Sequence, residues 1–116
     1  MKKKFIKKPW GSEEIIQTNK HYTLKKLTMN SNSRCSLQYH KKKIETIFVL
    51  DGPLYILFGK NLKNLKKKKL FNGQSITLKN KEIHRMFTKS KKSVYLEAST
   101  SDLNDVIRIS DDYNRV

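Results

Sequence analysis

Apolar residues in this chain recur at every second position in short runs, and no segment sustains the three-to-four spacing of an amphipathic helix. Tyr22–Met29 is half-alternating, and Arg34–His40 alternates cleanly. In the second run Cys35, Leu37 and Tyr39 share one face, while Ser36, Gln38 and His40 share the other. Ile44–Leu50 is β-branched or apolar on both faces, the pattern of a buried strand. Asp51-Gly52-Pro53 reads as a turn that returns the chain as a partner strand over Leu54–Phe58. Leu62, Leu65, Leu70 and Phe71 suggest a further hairpin, with Lys66–Lys69 at its exposed part. Asn72-Gly73 and Asn80-Lys81 turn into strands at Ser75–Leu78 and Ile83–Thr88, and Ser93–Ala98 closes the series. About eight to ten short strands with turns every ~8–12 residues predict an all-β, antiparallel sandwich or barrel. With 116 residues, no internal repeat and no linker-like stretch, the chain is read as a single domain over 1–116.

Charge is the other dominant feature. The formal net charge is +16, from 26 Lys+Arg against 10 Asp+Glu. Such a balance invites a nucleic-acid partner. All but Arg34, Arg85, Arg108 and Arg115 are lysines, however, and arginine is the side chain suited to bidentate recognition of phosphate and guanine. The lysine blocks at 2–4, 41–43 and 66–69 are not interleaved with aromatics in a stacking pattern. The expectation is a solvated basic surface, and nucleic-acid binding ranks third among the readings of the chain. No stretch approaches the ~18–20 apolar residues of a membrane span. The Lys-rich start lacks an apolar h-region of ~7–15 residues and is not read as a signal peptide. The single cysteine, Cys35, excludes an internal disulfide or a multi-thiolate zinc site, and a cytoplasmic protein is expected.

Gln38 and His40, two apart on one strand, point to the same side of the sheet. Glu45 follows the connector Lys41-Lys42-Lys43, and His84 stands after a turn at the start of a later strand. Two imidazoles, a carboxylate and an amide oxygen form a mixed set suited to one divalent ion of Zn, Mn, Fe, Co or Ni, and unsuited to Ca. On spacing alone, each of the four has the ordinary alternative of a hydrogen-bonded or surface polar side chain.

These residues also resemble a known family. Gln38-x-His40-x4-Glu45-x6-Gly52 resembles the first metal motif of the cupins, with Gln in place of the first His, and Gly73 followed by His84 resembles the second. Lys8-Pro9-Trp10-Gly11-Ser12-Glu13-Glu14 is similar to the opening of the type II phosphomannose isomerase cupin, found alone or as the C-terminal part of mannose-1-phosphate guanylyltransferases. Ser36-Leu37-Gln38-Tyr39-His40, Gly73-Gln74-Ser75 with His84-Arg85, and the tail Asp105–Arg115 resemble three further blocks of that family. The blocks at 8–14, 36–52, 73–85 and 105–115 are collinear with it. The resemblance implies a small antiparallel jelly-roll barrel with a metal held by Gln38, His40, Glu45 and His84. It also implies an aldose–ketose isomerase acting between mannose 6-phosphate and fructose 6-phosphate. Candidate phosphate holders are Arg85, Arg108 and Arg115, with Lys43 and Lys25 as weaker choices, and Lys43 and Arg85 are the candidates for a catalytic role. Arg85, adjacent to His84 in a strand, should point to the opposite face. The alternatives are a non-catalytic sugar- or metabolite-binding cupin, or a metal cupin with other sugar isomerase, epimerase or oxygenase chemistry. Pairing into a homodimer through edge strands is the assembly the family implies. Three departures stand out: Lys43 where the family has Arg, Lys79-Asn80-Lys81 where it has Pro and Gly, and Asn114 for the tail glycine. His21 matches no ligand position, Cys35 reads as a packed side chain facing away from Gln38 and His40, and Trp10 reads as packing for the N-terminal segment.

Overall fold

A computed structural model describes residues 4–102 and 104–115. Eleven strands follow one another: β1 (Lys4–Lys8), β2 (Gly11–Thr18), β3 (Thr23–Met29), β4 (Leu37–Tyr39), β5 (Glu45–Asp51), β6 (Leu54–Gly59), β7 (Lys66–Leu70), β8 (Ser75–Leu78), β9 (Ile83–Phe87), β10 (Ser93–Ser99) and β11 (Ile107–Ser110). Among the described residues the only helical element is a 3-10 turn at Leu62–Asn64. One sheet has the order β1-β2-β3-β10-β5-β8 and the other β11-β4-β9-β6-β7, with antiparallel pairing throughout. The two sheets share one core, as in a jelly roll. Leu27, Ile47, Leu78 and Tyr95 from the first sheet pack with Leu54, Ile56, Leu70 and Met86 from the second. Burying each such aliphatic side chain contributes about 1.5–3 kcal/mol. No helix among the described residues is long and apolar enough to cross a membrane.

Strand period explains where the site lies. Thr23, Lys25, Leu27 and Met29 alternate inward along β3, Glu45, Ile47 and Val49 along β5, and Ser93, Tyr95, Glu97 and Ser99 along β10. The pairing places Tyr95 beside Leu27 and Val49, Glu97 beside Lys25 and Ile47, and Ser99 beside Thr23 and Glu45. Apart from Ser93, which lies beside Met29, the inward residues of these three neighbouring strands change together from apolar to polar along their length. One end of the interior is a hydrophobic floor, and the other is lined with charge.

Gly11 shows how closely the strands approach. A Cβ there would lie 1.9 Å from the Thr28 carbonyl oxygen, so only glycine lets β2 pair with β3 at this position.

The structure departs from the sequence reading in several places. β5 and β6 are not hairpin partners: β5 pairs with β10 and β8, whereas β6 pairs with β7 and β9 in the other sheet. The Asp51-Gly52-Pro53 segment is therefore a crossover between sheets, held where Gly52 N–H donates to Asn72 Oδ1 at 2.7 Å. β5 is buried on one face only, for Phe48 and Leu50 remain 39% and 41% exposed on the other. The Lys66–Lys69 block is itself a strand, edge strand β7, with all four lysines exposed. Lysine on an edge strand discourages pairing with other chains. Strands β1, β2 and β11 form in segments where the sequence pattern predicts no strand.

Candidate metal centre and cavity

His40, Glu45 and His84 come together although they sit on three different segments, with one ligand atom of each within 4.8 Å of the others. His40 follows β4, Glu45 opens β5, and His84 lies on β9, where it pairs in register with Gln38. All three are at most 3% exposed. Glu45 Oε1 lies 3.1 Å from His40 Nε2 and 2.9 Å from His84 Nε2. Both rings are tied to main-chain carbonyls through the other nitrogen. His84 Nδ1 faces Glu82 O at 3.0 Å, and His40 Nδ1 faces Asp105 O. A carbonyl can only accept, so each Nδ1 carries the hydrogen, and whenever a ring carries no second proton its Nε2 lone pair faces Glu45.

Two lone pairs facing one carboxylate require a proton or a cation between them. His84 Nε2 is buried and approaches Glu45 without the geometry of a hydrogen bond. A divalent ion meets the needs of all three groups, and a backbone carbonyl on the far ring nitrogen is the usual support of a histidine ligand. The residues present fit a metal. Without one, burial alone would push the Glu45 carboxyl up, yet the two imidazoles and Lys43 hold it well below the usual carboxylate range. Burial would likewise lower His84, and Glu45 instead raises it.

A cavity of about 140 Å³ opens beside this cluster and is lined by His40, Gln38 and Lys43. Its walls also hold two buried ion pairs, Lys43–Glu97 at 3.0 Å and Lys25–Glu13 at 3.1 Å. Lys43 Nζ is 3.8 Å from Glu45 Oε2 as well, linking the wall to the ligand cluster. Burial, reinforced by the negative charge of Glu45, pushes the Glu97 carboxyl up to about 7. Tyr95 Oη is buried with no hydrogen-bond partner among the described residues, on a residue that also lines the cavity.

The remaining sequence candidates separate by what their side chains already do. Gln38 lines the cavity, and its Oε1 accepts from Ser36 Oγ at 2.8 Å. Arg108 pairs in register with Gln38, lines the cavity, and has a buried Nε with no hydrogen-bond partner among the described residues. Arg115 also lines it, but its fork is engaged by Asp111 at 2.8 and 3.0 Å. Arg85 points away from His84, donating Nε to Cys35 O at 2.8 Å and Nη2 to Ser110 O at 3.3 Å. Lys25 is committed to Glu13. Trp10 is 5% exposed and serves both core and cavity wall. Cys35 is buried in the core, as read, but it also lines the cavity beside Ser36, because regular alternation begins only at Leu37.

Sequence reasoning missed Glu13, Glu97 and Tyr95. The signal was present: Tyr95-Leu96-Glu97 places a carboxylate on the same face as a core tyrosine. A charge at an inward position of a strand is a buried charge.

Two antiparallel sheets around a His/Glu cluster at the polar end of their shared core define a cupin. Its sequence matches the family model described as "Mannose-6-phosphate isomerase C-terminal" over residues 1–111, and the chain belongs to that family. No curated protein matches it. Among solved structures, KdgF from Halomonas sp. is similar with a TM-score of 0.74 and 10% identity, over 84% of this chain and 87% of that one. The capsular polysaccharide assembling protein CapF from Staphylococcus aureus is similar with a TM-score of 0.81 and 12% identity, over 95% of this chain and 32% of that one. Lactobacillus farciminis oxalate decarboxylase gives 0.79 and 12%, over 92% and 33%. This chain thus spans about a third of the latter two proteins. Identities this low speak for the fold alone.

Proposed function

We propose that the protein is a metal-dependent sugar-phosphate isomerase that interconverts mannose 6-phosphate and fructose 6-phosphate. The observation that carries this reading is the joining of two features in one interior: a His40–Glu45–His84 cluster, and an adjoining polar cavity walled by Arg108, whose buried Nε has no hydrogen-bond partner among the described residues. Gln38 completes the proposed ligand set, and a divalent ion held there supplies Lewis acidity at a sugar oxygen.

The chain's own residues do the rest. The cavity, at about 140 Å³, is smaller than the ~300–1,000 Å³ of pockets that enclose a whole drug-sized ligand. The sugar's reacting end enters it, and the phosphate stays at the mouth. Arg108 binds that phosphate, since its Nε has no competing partner among the described residues, and Lys8 on the same wall adds charge. Arg115 is already neutralised by Asp111 and contributes less. Glu97 is the proton carrier, taking a proton from C2 of the aldose and returning it to C1, while the proton of the C2 hydroxyl passes to the C1 oxygen by way of the enediol; Lys43 fixes the Glu97 carboxylate. Tyr95 Oη and the Lys25–Glu13 pair offer hydrogen bonds to hydroxyl groups.

The test is steady-state kinetics on mannose 6-phosphate with metal-reconstituted protein. Arg108→Gln should raise KM about 10–100-fold with kcat retained, the effect of losing a hydrogen bond from a charged donor. Glu97→Gln should lower kcat about 10²–10⁴-fold. Sugar-phosphate binding without turnover in the wild type would instead assign a binding module.

A further inference from the structure

We infer that Asp105 is a positioning residue for the His40 ligand, so that the C-terminal tail is a working part of the metal centre. The inference rests on reading His40, Glu45 and His84 as metal ligands. Asp105 precedes β11 and grips the other end of the sequence motif in two ways. Its carboxylate accepts three successive main-chain N–H groups, from Lys41 at 2.9 Å, Lys42 at 2.7 Å and Lys43 at 2.9 Å. Its carbonyl oxygen accepts the Nδ1 hydrogen of His40. Those three lysines form most of the link between His40 and Glu45. One residue, some sixty positions away in the chain, therefore sets both the tautomer of one ligand and the path to the next.

The chemistry requires such a grip. The 41–43 connector carries three lysines in a row, whose mutual repulsion opposes a tight turn, and its N–H groups have no strand partner. A single carboxylate answers both problems, and these hydrogen bonds hold the Asp105 carboxyl down to about 2. From the other side, Lys81 N–H donates to His40 O at 2.6 Å and Asn80 Nδ2 to Lys41 O at 3.3 Å, so the connector's backbone is braced there as well. Among the described residues only Asp105 engages Nδ1 of the His40 ring, whose Nε2 faces Glu45. A hydrogen bond of this kind raises the basicity of the ligating nitrogen and fixes its direction.

The experiment uses the full chain, stripped with chelator and titrated with cobalt(II). Asp105→Asn keeps the size of the side chain but sets an NH2 group against N–H donors. The expected result is a cobalt dissociation constant raised about 10–100-fold, with shifted visible bands. In the metal-free variant, long-range 1H–15N correlation should show His40 losing its fixed Nδ1–H form. If Asp105→Asn does not fold, Asp105→Glu, which displaces the same charge by one methylene, carries the same readouts. Asp112→Asn, which releases the tail's exposed pair with Arg34, should leave cobalt binding unchanged. A merely structural role would lower the melting temperature of the Asp105 variant while leaving cobalt affinity, bands and His40 tautomer as in the wild type, and that result overturns the inference. Wild-type protein that binds no cobalt contradicts the metal reading. The His40 tautomer then decides the positioning role alone, which fails if the variant leaves it unaltered.

Discussion

Arg85 separates the two roles that its motif position suggests. It follows a proposed metal ligand directly, as a phosphate holder would, yet its guanidinium braces the main chain at Cys35 O and Ser110 O. Arg85→Met keeps the length and apolar stem of the side chain and removes only the donors. The bond to the buried Cys35 carbonyl, at 2.8 Å, is worth about 1.5–3 kcal/mol as a charged hydrogen bond, and an unmet buried carbonyl costs about 1–3 kcal/mol. The bond to Ser110 is longer and adds less. Against this stands the cost of burying the guanidinium itself, which burial and the charge of Arg34 hold below its ordinary value. Methionine relieves that cost, leaving a net loss of about 2–3 kcal/mol. For a chain of this length each kcal/mol moves the melting temperature by about 4 °C, so the variant should melt about 8–12 °C lower. Calorimetry measures the shift, and KM for mannose 6-phosphate, taken well below the new transition, should stay within about twofold of wild type. A variant that melts like the wild type but binds sugar phosphate tenfold more weakly would refute the bracing role and restore Arg85 to the substrate site.

Three further outcomes follow from particular groups. His84→Ala removes one ligand and should abolish stoichiometric metal binding, measured by elemental analysis after dialysis, while far-ultraviolet circular dichroism still reports the β-fold. Asp105 and Asp111 both have carboxyls held down to about 2 in the folded chain, by main-chain N–H groups and by Arg115 respectively. A depressed folded value means stability that is complete above about pH 4 and drains away as pH falls towards 2. Urea midpoints between pH 5 and 2 should therefore fall steeply in the wild type and less steeply in Asp111→Asn. Burial pushes the Cys35 thiol up to about 11, so a thiol reagent at pH 8 should leave it unmodified in the native protein and label it fully in denaturant.

Much of the site was legible because strand period is simple. Gln38 and His40, two apart, had to share a face, whereas only the resemblance to the cupin motifs groups Glu45 and His84 with them. Sheet membership was another matter. Leu54–Phe58 looks like the return arm of a hairpin, yet Gly52 and Pro53 carry it into the opposite sheet, where Leu54 pairs with Leu70. Nothing local distinguishes a turn within a sheet from a step between sheets, because the pairing partners lie many residues away. The apolar outer positions Phe48 and Leu50 misled for a related reason: hydrophobicity reports what a residue tolerates, not whether another layer covers it. The roles of the arginines were hidden most deeply. Arg85, Arg108 and Arg115 are chemically identical in sequence, and only their partners distinguish brace, free donor and neutralised pair.

The central claim is metal-dependent isomerisation in this interior, and turnover itself tests it most directly. Chelator-stripped protein, reloaded with one equivalent of a divalent ion, is incubated with mannose 6-phosphate in deuterium oxide and followed by NMR. The account predicts fructose 6-phosphate from the reloaded protein, none from the stripped protein, and none from His84→Ala. Equal turnover by stripped and reloaded protein, or metal bound at one equivalent with no isomerisation of the sugar phosphate, would contradict it.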